Sequence, residues 1–163
     1  MPEIIGTGHI YNCSIVAVWV KSNNDSFESE ETKGTFMTKP LAPTKLAVSA
    51  RENHKPLEIC WVKSMTPNVS KYKIRWKSMN EANEEIKTDE DTIITKAEET
   101  QLYYSFPEDR VNIGTSYKVN VYAVVEFENQ SLIAESKELH AKFLIKRSNE
   151  IALHNEEQEQ RQS

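Results

Sequence analysis

A stretch of this chain occurs twice. Residues 8–19 read GHIYNCSIVAVW and residues 114–125 read GTSYKVNVYAVV, an offset of 106 positions (114 minus 8). The identical pairs are Gly8 with Gly114, Tyr11 with Tyr117, Ala17 with Ala123, and Val18 with Val124. Both copies alternate apolar and polar residues, which is typical of a β-strand with one buried face. A spacing this long exceeds the roughly 20 to 50 residues of solenoid repeats and indicates tandem domains.

A second match extends the repeat. ESEETKGTF at 28–36 aligns with ESKELHAKF at 135–143, where the offset has become 107 (135 minus 28). The extra residue must lie in the polar stretch between the two matching blocks, where hairpin loops vary in length. Each copy is therefore predicted to form two antiparallel strands joined by a loop, with the second strand ending at Phe36 or Phe143.

The composition excludes several classes of protein. A hydrophobic content of 38% suits a folded core, and the net charge of -5 with scattered basic residues argues against a nucleic-acid partner. No apolar run is long enough to span a membrane, and the first ten residues lack the pattern of a signal peptide. Cys13 and Cys60 are too few to suggest a disulfide framework or a zinc site, so we expect free thiols.

The residues between the copies predict one complete domain. TKPLAPTKL at 38–46 marks its beginning, because Pro40 and Pro43 stiffen a short connector. Seven strands are predicted, at 46–50, 57–62, 71–77, 91–96, 102–106, 117–125 and 133–143. That number is typical of an all-β, seven-stranded antiparallel sandwich. The alternation within these strands predicts a core that contains Trp61, Tyr72, Ile74, Trp76, Tyr117, Val119, Val121 and Ala123.

Two polar stretches are predicted to lie outside the strands. Residues 77–90, KSMNEANEEIKTDE, are strongly acidic and are expected to form a solvated loop in preference to a helix. Residues 146–163 are rich in Gln and Glu with one weak apolar cluster, and we expect them to be a disordered tail.

These features resemble a fibronectin type III domain. The residues that carry the resemblance are Trp61 in the second strand, Tyr72 and Trp76 in the third, and Val111, Gly114, Thr115 and Tyr117 in the turn before the sixth, with Ile113 where the family usually has Pro. The resemblance implies a complete domain over 40–145. It also implies that 1–39 are the last two strands of a truncated copy, because Ile5, Gly8 and Tyr11 echo the same turn.

No catalytic, cofactor-binding or metal site is predicted. The four histidines, His9, His54, His140 and His154, are far apart in the sequence and have no triad or ligand spacing around them. The chain also lacks a glycine-rich phosphate loop. We therefore expect neither an enzyme nor a small-molecule substrate, and we assign the aromatic residues to the core and not to a ligand cage.

Four Asn-x-Ser sequons are candidates for glycosylation, at Asn12, Asn24, Asn68 and Asn129. Asn24 and Asn129 lie in the predicted loop between the last two strands of their copies, and Asn68 lies in the turn after the second strand. Such loops have room for glycans. Residues 63–70 and 126–132 could also hold a protein partner, since loops on a rigid scaffold are the usual binding surface.

Three kinds of parent protein fit this sequence. The first is a multidomain cell-surface protein, such as an adhesion molecule or a receptor ectodomain, a receptor tyrosine phosphatase among them, in which this piece is a binding or spacer module. The second is an intracellular cytoskeletal chain of such domains, which the two unpaired thiols favour. The third is a secreted enzyme that carries the piece as an accessory domain.

Overall fold

The computed structural model describes residues 5–50, 57–96, 98–127, 131–145 and 151–153. The strands are β1 (Ile10–Ile15), β2 (Val18–Val20), β3 (Ser26–Glu28), β4 (Thr32–Met37), β5 (Thr44–Ala50), β6 (Leu57–Val62), β7 (Lys71–Met79), β8 (Glu85–Ile94), β9 (Gln101–Ser105), β10 (Ser116–Phe127), β11 (Leu132–Glu135), β12 (Leu139–Ile145) and β13 (Ile151–Leu153). One 3₁₀ turn covers Glu108–Arg110. Among these residues, no helix has the length and hydrophobicity needed to cross a membrane.

Strands β5 to β12 form an antiparallel sandwich. One sheet has the order β5-β6-β9, and the other has the order β12-β10-β7-β8, with β11 on the same edge of β10 as β12. Every neighbouring pair is antiparallel. The predicted fold class is confirmed, because seven strand positions in two facing sheets are those of a fibronectin type III-like sandwich.

The core lies between the two sheets and follows the alternation of the sequence. The eight residues expected there are all buried: Trp61, Tyr72, Ile74, Trp76, Tyr117, Val119, Val121 and Ala123. The alternate residues of β6 and β7, such as Cys60 and Arg75, point away from the core and are only half-buried. Tyr104 and Phe106 close the core beside Trp76, whose ring centroid lies 5.1 Å from that of Phe106. Each buried large apolar side chain contributes about 1.5 to 3 kcal/mol of transfer free energy.

The expected loop at 77–90 is wrong, since β7 and β8 continue into this stretch and form a hairpin. Ion pairs across the hairpin accompany the backbone ladder. The Arg75 guanidinium lies 2.7 Å from the carboxylate of Glu90, and the Lys77 ammonium lies 2.6 Å from that of Glu85. A charged edge strand is also typical of sandwiches, because charges discourage pairing with a second sheet. Glu85, Asp89 and Glu90 thus lie on an edge strand, while Glu81 and Glu84 lie in the turn between β7 and β8.

The last predicted strand differs from expectation in two ways. Residues 133–143 do not form one strand, because Ser136 interrupts the pairing with β10 and separates β11 from β12. In the expected disordered tail, residues 151–153 form β13, which pairs antiparallel with β12. The free edge of β12 offers unpaired backbone groups that an additional strand satisfies. Residues 146–150 and 154–163 lie outside the described residues.

The opening hairpin, formed by β1 to β4, has the same interruption as the closing hairpin, formed by β10 to β12. The Ala17 N–H donates to Ser29 Oγ at 2.9 Å, and the Ala123 N–H donates to Ser136 Oγ at 2.9 Å. In each copy the serine N–H also donates back to the carbonyl of that alanine at 2.9 Å. The serine side chain therefore supplies the hydrogen bond that the strand ladder lacks at this irregularity.

The turn before each hairpin is a tyrosine corner. The Asn112 N–H donates to the Tyr117 hydroxyl oxygen at 2.8 Å, as predicted for such sandwiches. The Gly6 N–H donates to the Tyr11 hydroxyl oxygen at 2.7 Å, again 106 positions earlier (112 minus 6). Tyr11 stacks on Phe36 at 5.3 Å, and Tyr117 stacks on Phe143 at 5.7 Å. The repeat in the sequence is therefore also a repeat in three dimensions.

Candidate functional site

The corner of the opening hairpin packs against the sandwich. Gly8 is buried with φ +67°, and a Cβ atom there would lie 2.6 Å from Thr66 Cγ2 and 3.3 Å from Val125 Cγ2. Only glycine fits both the backbone conformation and the space. We call this contact the joint, and it consists of the Gly8 corner, the connector at 38–43 and the loop between β6 and β7.

Hydrogen bonds tie the joint to the core. The hydroxyls of Thr7 and Thr66 lie 2.9 Å apart, and the Leu41 N–H donates to Thr66 Oγ1 at 2.9 Å. The Ser64 hydroxyl donates to the Leu41 carbonyl at 2.7 Å, and the Ser64 N–H donates to the hydroxyl oxygen of Tyr72 at 2.6 Å. Ser64 and Thr66 are both buried. Because buried polar groups that lose a partner are costly, this network favours one orientation of the hairpin.

Replacing Gly8 with alanine is expected to open the joint. The matched control is Gly114→Ala, because Gly114 has a similar φ of +82° but no atom within 4 Å of its Cβ position. Both variants incur the backbone strain of about 1 to 2 kcal/mol, while only Gly8→Ala adds a steric clash. We expect limited proteolysis to cleave residues 38–46 about tenfold faster in Gly8→Ala than in Gly114→Ala. Equal cleavage rates would show that the joint does not depend on close approach at Gly8.

The opening hairpin has an open apolar face. Ile15 is 69% exposed and Trp19 is 61% exposed, and Phe27 and Phe36 are exposed on the same hairpin. The equivalent positions in the closing hairpin are Val121, Val125, Ala134 and Phe143, which are all buried. Val121 and Phe143 belong to the core cluster, and Val125 lies beside Gly8 at the joint. Exposed apolar clusters of this kind usually mark interaction surfaces.

The structure places the sequons on the surface where it describes them. Asn24 is exposed with φ 67° in the turn between β2 and β3, and Asn68 is exposed between β6 and β7. Asn12 is exposed on β1, and its Oδ1 accepts a hydrogen bond from Thr35 Oγ1 at 3.0 Å. Asn129 lies outside the described residues. A glycan at Asn68 or Asn24 would project from a turn, whereas one at Asn12 would project from a strand.

Side chains that could bind a metal ion do not cluster among the residues that the structure describes. Among the residues that the structure describes, no three His, Cys, Asp or Glu side chains lie close enough to hold a metal ion. His9 and His140 are exposed on different units, and His54 and His154 lie outside the described ranges. Cys13 and Cys60 are free thiols, the first exposed and the second half-buried. Burial raises the pKa of Tyr104, whose hydroxyl donates to Asp91 Oδ2 at 2.9 Å across the two sheets.

The joint is the site that the sequence did not reveal. Residues 63–70 were expected to be a free binding loop, yet Ser64 and Thr66 within it are buried against the hairpin and the connector. Met65 between them remains exposed. The only signal of the joint in the sequence is Gly8, which matches Gly114 but does not indicate what packs against it.

Comparisons with known proteins yield similarity of structure only. No protein-family profile matches the chain, and no curated protein does. A solved structure described as a myokine is 14% identical, with a TM-score of 0.46 over 67% of this chain and 100% of that one. The FN5 domain of Drosophila Lar is 12% identical, with a TM-score of 0.37 over 63% of this chain and 95% of that one. The assignment of the fold therefore rests on strand order, register and the tyrosine corner of the chain itself.

Proposed function

We propose that this chain is a noncatalytic spacer or protein-binding module of a multidomain cell-surface protein, such as an adhesion molecule or a receptor ectodomain, receptor tyrosine phosphatases included. The observation that carries this proposal is the joint. Such a module holds its neighbour in one orientation through a buried glycine and a polar network. A spacer in a multidomain chain has this role, because it sets the orientation of the domains on either side of it.

The exposed sequons support a cell-surface location. Asn68 lies in a turn at the end of the sandwich, with its side chain in solvent and clear of the core. Asn24 lies in the turn between β2 and β3 of the opening hairpin. A glycan is bulky and polar, so sequons at such positions can be modified without disturbing a strand.

A protein partner would most readily contact the end of the sandwich near Asn68. Met65 and Pro67 are exposed there, and Met65 is among the most exposed apolar residues described. A hollow of about 390 Å³ lies beside them, lined by this loop together with Thr95, Lys96 and Glu99. Flexible methionine side chains suit adaptable protein contacts.

Expression through a secretory pathway is expected to add a glycan at Asn68. The protein should lose this mass on treatment with a glycan-cleaving amidase, and one glycan should disappear in Asn68→Gln. Ser70→Ala is the matched control, because it destroys the sequon and keeps the asparagine. A secreted product without glycan at any sequon would contradict the cell-surface proposal.

The alternative is an intracellular structural chain of tandem domains. The exposed thiol of Cys13 favours it, because oxidising compartments tend to pair or modify exposed cysteines. In the glycosylation experiment, a secreted product without glycan at any sequon would favour this alternative. An accessory domain of a secreted enzyme would share the glycans, and its catalytic residues would lie outside this sequence.

A further inference from the structure

The outer face of the sheet that contains β7, β10 and β12 carries a row of lysines. Alternate residues of these strands point away from the core, and the register places Lys77 opposite Lys118 and Lys118 opposite Lys142. Neighbouring strands lie about 4.8 Å apart, so the row spans about 10 Å. Like charges directly opposite each other on neighbouring strands are destabilising. Because the chain has a net charge of -5, this row does not follow from a basic composition.

The lysine at the centre of the row lacks a counter-charge. Lys77 forms an ion pair with Glu85 at 2.6 Å. Lys118 is half-buried, and its side chain forms no ion pair or hydrogen bond with any residue that the structure describes. A charge that is partly removed from water is stabilised by an opposite charge beside it. The environment of Lys118 therefore favours an anionic group above it.

The next outward residue of β10 has an unsatisfied side-chain amide. Asn120 is 7% exposed, and its Oδ1 has no hydrogen-bond partner among the described residues. Its Nδ2 donates to the Tyr122 hydroxyl oxygen at 3.4 Å. Exchanging the oxygen and nitrogen of the amide would still leave one of them unpaired. Since buried polar side chains normally have partners, Asn120 is positioned for a hydrogen bond that a bound molecule can supply.

The residues around Asn120 resemble the centre of a protein interface. Its partners in the register are Arg75 on β7 and His140 on β12, and His140 is exposed. The Arg75 guanidinium lies 5.7 Å from the centroid of the Tyr122 ring and is held by Glu90 at 2.7 Å. Arginine and tyrosine side chains are enriched where proteins bind proteins. The face thus combines an interface-like centre with the lysine row at one end.

We propose that this face binds an extended acidic peptide segment of a protein partner. One carboxylate lies over Lys118, and a backbone amide of the peptide hydrogen-bonds to the side chain of Asn120. A peptide can make both contacts, whereas a simple anion such as sulfate has no donor for Oδ1. Alternate residues repeat about every 6.6 Å in an extended peptide and along β10, so the two contacts can form together. The inference goes beyond the proposed function, because this face is separate from the end near Asn68 and its binding requires neither glycans nor a cell surface.

Nuclear magnetic resonance of the isotope-labelled full chain tests this inference. The probe is a short synthetic peptide that alternates glutamate and threonine and is blocked at both ends, and the control peptide has glutamine in place of each glutamate. We expect the glutamate peptide to shift the backbone amide signal of Lys118 and the side-chain amide signal of Asn120, and the glutamine peptide to shift neither. The Asn120 signal requires no substitution, so this result is independent of how a variant folds. Equal shifts with both peptides, or no shift at Asn120, overturn the inference.

Matched variants identify the residues that bind the peptide. Lys118→Gln should raise the Kd of the glutamate peptide about fivefold, whereas Lys63→Gln removes the same charge from an exposed position after β6 and should leave Kd unchanged. Asn120→Leu should also raise Kd about fivefold, because leucine has a similar volume but no amide. Equal Kd values for the two lysine variants, or an unchanged Kd for Asn120→Leu, overturn the inference and indicate nonspecific attraction of anions. If Glu156→Gln with Glu157→Gln moves the Lys118 and Asn120 signals without peptide, the chain's own acidic residues occupy the face, which also overturns it.

Discussion

We expect Trp61→Ala to lower the free energy of unfolding by about 3 to 5 kcal/mol, since it removes a large side chain from the centre of the sandwich. Trp61 is 0% exposed, and its ring lies 5.7 Å from that of Tyr72. Its indole N–H has no hydrogen-bond partner among the described residues, so the loss comes from packing. Chemical denaturation followed by circular dichroism measures the change.

Trp19→Ala is the matched control for this prediction. It removes the same side chain from the open face of the hairpin, where Trp19 contacts Phe27 at a centroid distance of 5.7 Å and is otherwise largely exposed. We expect its effect on the unfolding of the sandwich to stay within about 0.5 kcal/mol. A loss below about 1 kcal/mol for Trp61→Ala would contradict the placement of Trp61 in the core.

Amide exchange is expected to separate the two copies by about three orders of magnitude or more. Residues 10–15 lie on a strand with one partner and little covered area, whereas residues 117–125 pair on both edges and face the core. The hairpin therefore opens locally, and β10 exchanges only through unfolding of the sandwich. Hydrogen exchange with mass spectrometry can compare peptides from the two repeated stretches in one sample.

The exchange experiment should be repeated over a range of protein concentrations. Protection of residues 10–15 that is independent of concentration and equal to that of 117–125 would contradict an open hairpin. It would mean that the hairpin and the sandwich unfold as one cooperative structure. Protection that grows with concentration would instead indicate association of the apolar faces.

The regular parts of the fold could be predicted because one physical signal determines them. Alternation of Ile59 and Trp61 with polar neighbours fixes the phase of β6, and the same pattern fixes β7 and β10. The tyrosine corner could also be predicted, since Tyr117 follows a glycine turn that occurs twice. In these segments the local pattern and the tertiary structure agree.

The remaining features depend on partners distant in the sequence. β8 has few apolar residues, and its pairing relies on charges such as Glu90 meeting Arg75 on β7. The joint brings together Thr7 and Thr66, which are 59 residues apart. β13 pairs with the edge of β12, which lies several residues earlier in the chain. Local propensity carries no information about such contacts, so the prediction of a loop at 77–90 failed where tertiary pairing prevailed.

The joint also determines how mechanical load would pass through the chain. The connector that enters β5 is held at Leu41 by Ser64 and Thr66, and Ser64 is held in turn by Tyr72 on β7. A pull on the hairpin is therefore shared between the connector and the centre of the second sheet before it reaches the pairing of β5. Tension would break these hydrogen bonds first and free the hairpin to rotate about the connector, while the sandwich stays folded.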